Sequence, residues 1–335
     1  MKKISLLLLV VFCFLQCKTP KDKTYDSFTV EKYAEIIEKN SLKEKLFTIA
    51  ADSFEGRETG ELGQKKAAAY LKDFYEKHHI SPGNNGKYYQ EIPSAYFDYK
   101  FKDTENVIAM IEGHEFPEEI ITVSAHYDHL GIDDNGEIYN GADDDGSGTV
   151  AVMQMAKAFK EASENGHGPR RTIVFMHFTG EEKGLLGSRY YTENPIFPLA
   201  KTVTNLNIDM IGRIDDFHQT DQHYIYLIGS DRLSSELDSV INQQNRAHTQ
   251  LKLDYKYNDE DDPQRLYYRS DHYNFAKHNI PVAFFFSGLH EDYHKISDTA
   301  DKIEYDLMTE RAKLVFYSLW EIANSDKKLK VDKAS

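Results

Sequence analysis

The sequence predicts an α/β protein with three layers, in which a mixed and mostly parallel central sheet lies between helices. Apolar runs rich in β-branched and aromatic residues alternate along the chain with longer stretches whose apolar residues recur at helical spacing. No internal repeat, low-complexity block or Pro/Gly-rich linker divides the chain after its N-terminal segment. We therefore expect one domain over residues 31–330.

The predicted elements follow this alternation in order. Two helices come first, and the second has an alanine-rich packing face. Six strands then alternate with three further helices. The predicted helices are residues 31–51, 63–79, 148–162, 235–247 and 306–324. The predicted strands are residues 106–111, 120–125, 172–178, 203–208, 224–228 and 281–286.

Composition sets limits on the partners. The chain has 335 residues, of which 40% are hydrophobic and 28% are charged, so it can build a sizeable core. Its 55 acidic and 40 basic residues give a formal net charge of -15. Such a charge repels phosphate backbones, and we expect no nucleic-acid partner.

The N-terminal segment predicts export. Met1, Lys2 and Lys3 are followed by an apolar stretch over residues 4–15, which is too short to span a membrane comfortably and is typical of a secretory signal. The only cysteines, Cys13 and Cys17, lie in or beside it, so the rest of the chain has no disulfide. We expect a signal over residues 1–17 and a polar tether over residues 18–30.

Residues 14–17 resemble a bacterial lipoprotein signal, which implies that Cys17 carries a lipid. Membrane contact would then be limited to this anchor on a bacterial cell envelope. An ordinary cleaved signal, which would make the protein periplasmic or secreted, and an uncleaved anchor are the alternatives.

Potential metal ligands follow the predicted strands. His126 and Asp128 come directly after a strand and lie two residues apart, so the carboxylate could hold the imidazole. Three acids, Asp143 to Asp145, precede a helix between glycines. They exceed what a helix cap needs, and their repulsion would be relieved by a bound dication.

Three further acids and a histidine occupy similar positions. Glu181 and Glu182 follow another strand, where one could bind a metal while the other acts as a general base. Asp209 ends an apolar strand, and His294 lies in a polar loop after the last one. Each has an ordinary structural explanation when taken alone. We expect structural or surface roles for the other histidines, including His129.

These residues and their neighbours resemble the zinc aminopeptidases of peptidase family M28, from about Phe54 to Asp301. Residues 56–60 are similar to the family's opening segment, and residues 270–272 to its late helix. The resemblance implies the fold of zinc-dependent exopeptidases, which is phosphorylase/hydrolase-like, together with peptide substrates and two zinc ions per chain.

Carried onto this sequence, the resemblance also implies residue roles. Asp144 would bridge the two zinc ions, because the family's bridging aspartate stands four places before a glycine, here Gly148. The remaining ligands would be His126 and Asp209 for one ion, and Glu182 and His294 for the other. The implied catalytic residues are Glu181 as general base, Asp128 as the partner of His126, and Tyr267 as an oxyanion-stabilising tyrosine.

Two alternatives stay open at this point. A glutaminyl cyclase has the same architecture but uses a single zinc ion. A non-catalytic binding domain could keep the fold and lose the chemistry. The complete ligand set favours a two-zinc aminopeptidase, whereas the residue preference, and the choice between aminopeptidase, carboxypeptidase and dipeptidase, are open.

Overall fold

The computed structural model describes residues 27–333. The predicted signal over residues 1–17, with Cys13 and Cys17, and nearly all of the predicted tether lie outside the described residues. Within residues 27–333, no helix combines the length and the apolar character that crossing a membrane requires.

Helices and strands alternate through most of the described chain. The helices are α1 (Ser27–Ala34), α2 (Lys39–Ile49), α3 (Leu62–Lys77), α4 (Gly148–Glu164), α5 (Leu186–Glu193), α6 (Ser235–Gln244), α7 (His272–Ala276) and α8 (Tyr305–Asn324). The strands are β1 (Ser81–Pro82), β2 (Tyr89–Ile92), β3 (Thr104–Ile111), β4 (Phe116–His126), β5 (Gly131–Ile132), β6 (Ile138–Tyr139), β7 (Arg171–Phe178), β8 (Thr202–Ile208), β9 (Tyr224–Ile228), β10 (Lys252–Asp254) and β11 (Val282–Phe286).

The central sheet is mixed, as predicted. Its strand order is β1-β3-β7-β4-β8-β11-β9-β10, with β2 also paired to β3. The four central strands, β7, β4, β8 and β11, run parallel to their neighbours within this group. Antiparallel pairs flank the group on both sides, at β3·β7 and β11·β9. The parallel pairing that the alternation predicts is thus concentrated at the centre of the sheet.

The sheet separates two hydrophobic clusters, which gives the three predicted layers. On β7, Ile173 and Phe175 belong to one cluster, whereas Val174 and Met176 belong to the other. This alternation follows from the two-residue period of a strand. Helices α1–α4, α6 and α8 supply side chains to the first cluster, and α5 and α7 to the second. Both faces of the central strands are therefore buried.

The structure differs from the sequence prediction in its first and shortest elements. The helix predicted over residues 31–51 is two helices, α1 and α2, because the chain is extended at Glu38. The buried residues show the reason: Ile37 ends the first apolar series and Leu42 begins the next, five positions later. Residues five positions apart do not lie on the same face of a continuous helix. Strands of two to four residues, such as β1 and β10, are too short to show a period.

A buried neutral histidine makes the stability of the fold depend on pH. Burial lowers the pKa of His177 to about 3, and its Nε2 contacts the Tyr75 hydroxyl at 2.6 Å. In the unfolded chain a histidine titrates near about 6.5. The contribution of neutral His177 to the free energy of unfolding is therefore fully present above about pH 6.5 and is lost as the pH falls towards about 3. At pH 5 the loss is roughly 2 kcal/mol for this group.

We expect the substitution His177→Gln to flatten this dependence, since glutamine can accept from Tyr75 but does not titrate. Urea unfolding at pH 7.5 and pH 5 should show a free energy of unfolding that falls by about 2 kcal/mol less in the variant than in the wild type. Equal pH slopes for the two proteins would contradict the assignment.

Candidate metal centre

The candidate site lies at the carboxyl edge of the central parallel strands. In the sheet register His126 is opposite Phe178, and Ile208 is opposite Phe285, so these strands end side by side. Loops at this edge of a parallel sheet are the usual binding region of such folds. The last residue of β4, the segments that follow the other strands and the turn before α4 carry the predicted ligands: His126, Asp144, Glu182, Asp209 and His294.

The carboxylate of Asp144 lies between two sets of ligand atoms. Its Oδ1 is 3.2 Å from Nε2 of His126, which is itself 3.7 Å from Oδ1 of Asp209. Its Oδ2 is 3.1 Å from Nε2 of His294, which is 3.2 Å from Oε2 of Glu182. Two oxygens of one carboxylate thus face two different groups of side chains, as a bridging ligand requires.

His129 joins the second group, where the sequence predicted only a structural or surface role. Two sets of side chains each bring their ligand atoms within 4.8 Å of one another: His126, Glu181 and Asp209, and His129, Asp144 and Glu182. Nδ1 of the buried His129 is 2.9 Å from Oε1 of Glu182. In the sequence, this contact is indicated only by the position of His129, three residues after His126 at the end of the same strand.

The buried polar atoms of the site fit zinc. Imidazole nitrogens and carboxylate oxygens are the ligands that Zn²⁺ takes besides thiolates. Buried polar groups in proteins are nearly always hydrogen-bonded. Several ligand atoms here are buried and lie close to one another, yet none of them forms a hydrogen bond of normal geometry: Nε2 of His126, Nδ1 of His129, Oδ2 of Asp144 and Oε1 of Glu182. Cations at these atoms would satisfy them.

The charges of the site also favour a bound cation. Burial raises the pKa of Glu181 well above its usual range, and the charges of Glu182 and Asp209 add to the rise. Burial also raises the pKa of Asp271 to about 7 and that of Asp298 to about 6. So many carboxylates repel one another when all are charged, and a bound dication would reverse this effect.

The neighbours of Asp144 in the aspartate triplet hold the turn rather than face the ligands. The carboxylate of Asp145 accepts hydrogen bonds from the backbone N–H groups of His126 at 3.2 Å, Gly148 at 2.8 Å and Met210 at 3.1 Å. One side chain thus connects the end of β4, the start of α4 and the segment after β8. A cis peptide bond joins Asp144 to Asp145.

Asp298 and Asp143 support the turn from the other side. Asp298 accepts from the N–H groups of Asp143 and Asp144 at 3.0 and 3.1 Å. Oδ1 of Asp143 accepts from the N–H of Gly212 at 2.6 Å, and its Oδ2 is 3.3 Å from Nε2 of His290. The backbone of Asp144 is therefore held on both sides of its side chain.

Arg57, in the predicted opening segment, brings a buried positive charge close to the site. Its guanidinium donates to the backbone oxygens of Tyr127, Ile49, Asn140 and Gly141 at 2.6 to 3.0 Å. Two of these carbonyls, those of Asn140 and Gly141, lie two to three residues before the aspartate triplet. Arg57 therefore fixes the loops on which the ligands are carried and offsets part of their negative charge.

Asp128 contacts His126 differently from the expectation. Nδ1 of His126 is 3.1 Å from the backbone oxygen of Asp128 and 3.7 Å from its carboxylate. The carboxylate instead accepts from the Thr59 hydroxyl at 2.8 Å and from the N–H of Glu181 at 3.2 Å. The side chain of Asp128 thus positions the Glu181 backbone, and its main chain positions His126.

A chain of hydrogen bonds runs through the sheet to Asp209. Each member donates to the next: Asn205 Nδ2 to Ser124 Oγ at 2.9 Å, Ser124 Oγ to Asn207 Oδ1 at 2.7 Å, Asn207 Nδ2 to Ser270 Oγ at 2.8 Å, and Ser270 Oγ to Asp209 Oδ2 at 2.7 Å. All five residues are buried. This donor chain orients the carboxylate of Asp209 through its hydrogen bond from Ser270.

The tyrosine beside the ligands is Tyr293 and not Tyr267. Tyr267 packs under the guanidinium of Arg232, whose centre is 3.9 Å from the ring centroid, and lines a separate cavity. Tyr293 lines the ligand cleft, and its ring stacks on His294 with centroids 3.8 Å apart. Spacing from Ser270 suggested Tyr267, but the turn at residues 266–268 directs Leu266 towards the cleft instead.

The loop that carries His294 is anchored by Asp292. Its carboxylate accepts from the Ser297 hydroxyl at 2.6 Å, from Lys302 at 2.7 Å and from Arg213 at 2.9 Å. His294 itself has a left-handed backbone, with φ of 56°. Such a conformation is uncommon for a residue other than glycine and needs support from its surroundings.

Comparison with known proteins identifies the family. Residues 106–319 match the model of peptidase family M28, so the chain belongs to this family. It is 26% identical to a probable aminopeptidase of Saccharomyces cerevisiae over 68% of this chain and 60% of that protein. It is 27% identical to leucine aminopeptidase 1 of Arthroderma otae over 77% of this chain and 68% of that protein. The chain thus matches about two thirds or less of the length of these relatives.

Solved structures confirm the fold. The LapA aminopeptidase of Legionella pneumophila superposes with a TM-score of 0.72 at 20% identity, over 98% of this chain and 81% of that one. A zinc aminopeptidase from Bacillus subtilis superposes with a TM-score of 0.67 at 16% identity, over 89% of this chain and 98% of that one.

The ligand geometry predicts that zinc stabilises the fold through Asp144. Each bound zinc ion, with free zinc at a thousand times its dissociation constant, should add about 4 kcal/mol to the free energy of unfolding. Asp144→Asn should lose this gain, because it weakens both ligand groups at once. Thermal unfolding of dialysed protein with and without zinc measures the effect. Asp134→Asn, which changes an exposed acid outside the site, should keep the gain; a full gain in the Asp144 variant would refute the bridging geometry.

Proposed function

We propose that the chain is a zinc-dependent aminopeptidase that removes N-terminal residues from peptides, with two zinc ions held through Asp144. The observation that carries the proposal is the position of Asp144, whose two oxygens face His126 on one side and His294 on the other. Glu181 lies beside the first group. Membership of the family and the descriptions of the relatives as aminopeptidases support this reaction.

In this proposal His126 and Asp209 hold one ion, Glu182 and His294 hold the other, and Asp144 holds both. Bound zinc would polarise the scissile carbonyl and lower the pKa of the attacking water. Glu181 takes the proton of that water and returns it to the leaving amine. Asp128 keeps Glu181 in place through the backbone N–H.

The cleft above the ligands has an apolar wall, which favours an apolar first residue in the substrate. Its apolar lining residues are Met210, Leu266, Phe284, Phe286 and Leu289. An apolar side chain packed against this wall would bury part of its surface, and each buried methylene group contributes about 0.8 kcal/mol.

Two neighbouring glutamates separate catalysis from metal binding. We expect Glu181→Gln to keep two zinc ions per chain while kcat falls about 100- to 10,000-fold, because the proton acceptor is lost. The matched variant Glu182→Gln should lose zinc as well as activity, since Glu182 is a ligand in this proposal. Metal analysis and peptide hydrolysis measure both properties. Near-normal activity of Glu181→Gln would rule out the role of general base.

The reaction itself is tested with matched peptides that carry free or blocked ends. Zinc-loaded protein should cleave peptides with a free amino terminus and leave N-acetylated peptides intact. Cleavage of only those peptides that have a free carboxyl terminus would indicate a carboxypeptidase. One zinc ion per chain, with pyroglutamate formed from N-terminal glutamine, would indicate a glutaminyl cyclase, and inactivity of the zinc-loaded protein would indicate a binding domain.

We also propose that the protein is exported and that Cys17 anchors it to a membrane by a lipid. The proposal rests on the basic start, the short apolar stretch and the cysteine that follows it. Labelling of the full chain with radioactive palmitate, compared with a Cys17→Ser variant, tests the anchor. Equal labelling of both proteins, or none, would contradict it.

A further inference from the structure

An arginine lies at the mouth of the otherwise acidic cleft. Arg269 is exposed and lines the same cleft as Asp144, Glu181 and Asp209. Its Nη2 donates to the hydroxyl of Tyr293 at 3.2 Å. Among residues 27–333, no carboxylate forms an ion pair with this guanidinium, although the site below it is rich in carboxylates. Most of its hydrogen-bonding capacity is therefore free for a ligand.

The backbone of Arg269 is fixed relative to the ligands. Its N–H donates to the carbonyl of Leu266 at 3.0 Å. The next residue, Ser270, donates to the carboxylate of Asp209 at 2.7 Å and accepts from Asn207 at 2.8 Å. The guanidinium thus extends from a short, well-connected segment, so it stays at one side of the cleft.

The tip of the side chain is held from the opposite loop. Tyr293, whose hydroxyl it contacts, stacks on His294 with ring centroids 3.8 Å apart. The guanidinium therefore joins the loop of one ligand to the segment that supports another, Asp209. It lies at the exposed edge of the cleft that the predicted ligands also line.

The charges of the cleft have a direction that matches a short peptide. Carboxylates line its floor, where the free ammonium of a substrate would be attracted, and a cation stands at its rim. A di- or tripeptide has the complementary arrangement, with an ammonium at one end and a carboxylate one or two residues beyond the scissile bond. Arginine binds carboxylates through paired N–H groups, which gives both attraction and orientation.

We propose that Arg269 is a carboxylate-binding subsite on the leaving-group side, and that the enzyme prefers short peptides with a free C-terminal carboxylate. The inference rests on the proposed aminopeptidase function. An acidic side chain in the second residue of a longer peptide offers the same chemistry, so the experiment distinguishes these two sources.

Other arginines of the chain show what a purely structural role looks like. Arg57 and Arg311 are buried and donate to backbone carbonyls. Arg265 is exposed four residues before Arg269, but its guanidinium lies over the ring of Tyr268, with 4.8 Å between its centre and the ring centroid. Arg265 therefore provides a matched control on the same surface segment.

The test compares leucyl-leucine with leucyl-leucinamide, which differ only in the terminal carboxylate. For the zinc-loaded wild type we expect a KM about 10-fold lower for the free acid, with similar kcat, because the contact is made in the ground state. In Arg269→Gln the ratio of the two KM values should fall to about 1. Arg269→Lys should restore part of it, and Arg265→Gln should keep the wild-type ratio.

A second pair of substrates, the α-amides of leucyl-glutamate and leucyl-glutamine, identifies the source of the carboxylate. A preference for the glutamate compound that depends on Arg269 would assign the subsite to an acidic side chain; dependence in the leucyl-leucine pair assigns it to the C-terminus. Raising the salt concentration to about 1 M should bring the ratio of the two KM values closer to 1 in either pair, because the Arg269 side chain is exposed to solvent and its charge is screened.

Equal KM values for acid and amide in the wild type, in both pairs, would overturn the inference. A preference that persists in Arg269→Gln would overturn it as well. If none of the four substrates is hydrolysed, the proposed aminopeptidase function fails and the inference fails with it, an outcome distinct from equal hydrolysis of acid and amide.

Discussion

The structure depends on keeping many carboxylates together in one buried place. Isolated buried charges are costly, and like charges side by side add to that cost. The chain compensates in three ways: backbone N–H groups point at the carboxylates that face away from the ligand cleft, the buried guanidinium of Arg57 lies nearby, and histidines and the proposed cations face the remainder. The acids concerned are Asp143, Asp144, Asp145, Glu181, Glu182, Asp209 and Asp298. The loops around the sheet edge supply the groups that offset the repulsion among these carboxylates.

The strands and the positions of the ligands could be predicted because they follow from local pattern. A buried parallel strand is a short, mainly apolar run, and ionisable side chains stand at or just after its end, here His126, Glu181 and Asp209. Parallel strands bring such ends to one edge. The resemblance to the family then selected Asp144 from three adjacent acids, and it is the one whose side chain faces both groups.

Other features depend on side-chain direction, which spacing does not determine. His129 faces Glu182 because the chain turns after His126, and Asp128 uses its carboxylate for Glu181 while its carbonyl meets the imidazole. Tyr267 was expected in the cleft, but one turn of the chain directs it into the neighbouring cavity. The division between α1 and α2 was visible only as one apolar step of five residues. Each case requires knowledge of which neighbour is in contact.

The donor chain that ends on Asp209 has a consequence for how the sheet can vary. An ionised carboxylate can only accept hydrogen bonds, so Ser270 must donate to Asp209. This fixes the donor and acceptor roles of every hydroxyl and amide in the chain, back through Ser124 to Asn205. Replacement of Ser270 by an apolar residue, for example, removes the acceptor of the Asn207 amide and a donor to Asp209, and both groups are buried. The positions of the donor chain on β4, on β8 and before α7 are therefore coupled: among related sequences we expect them to change together or not at all, although only Asp209 faces the ligand cleft.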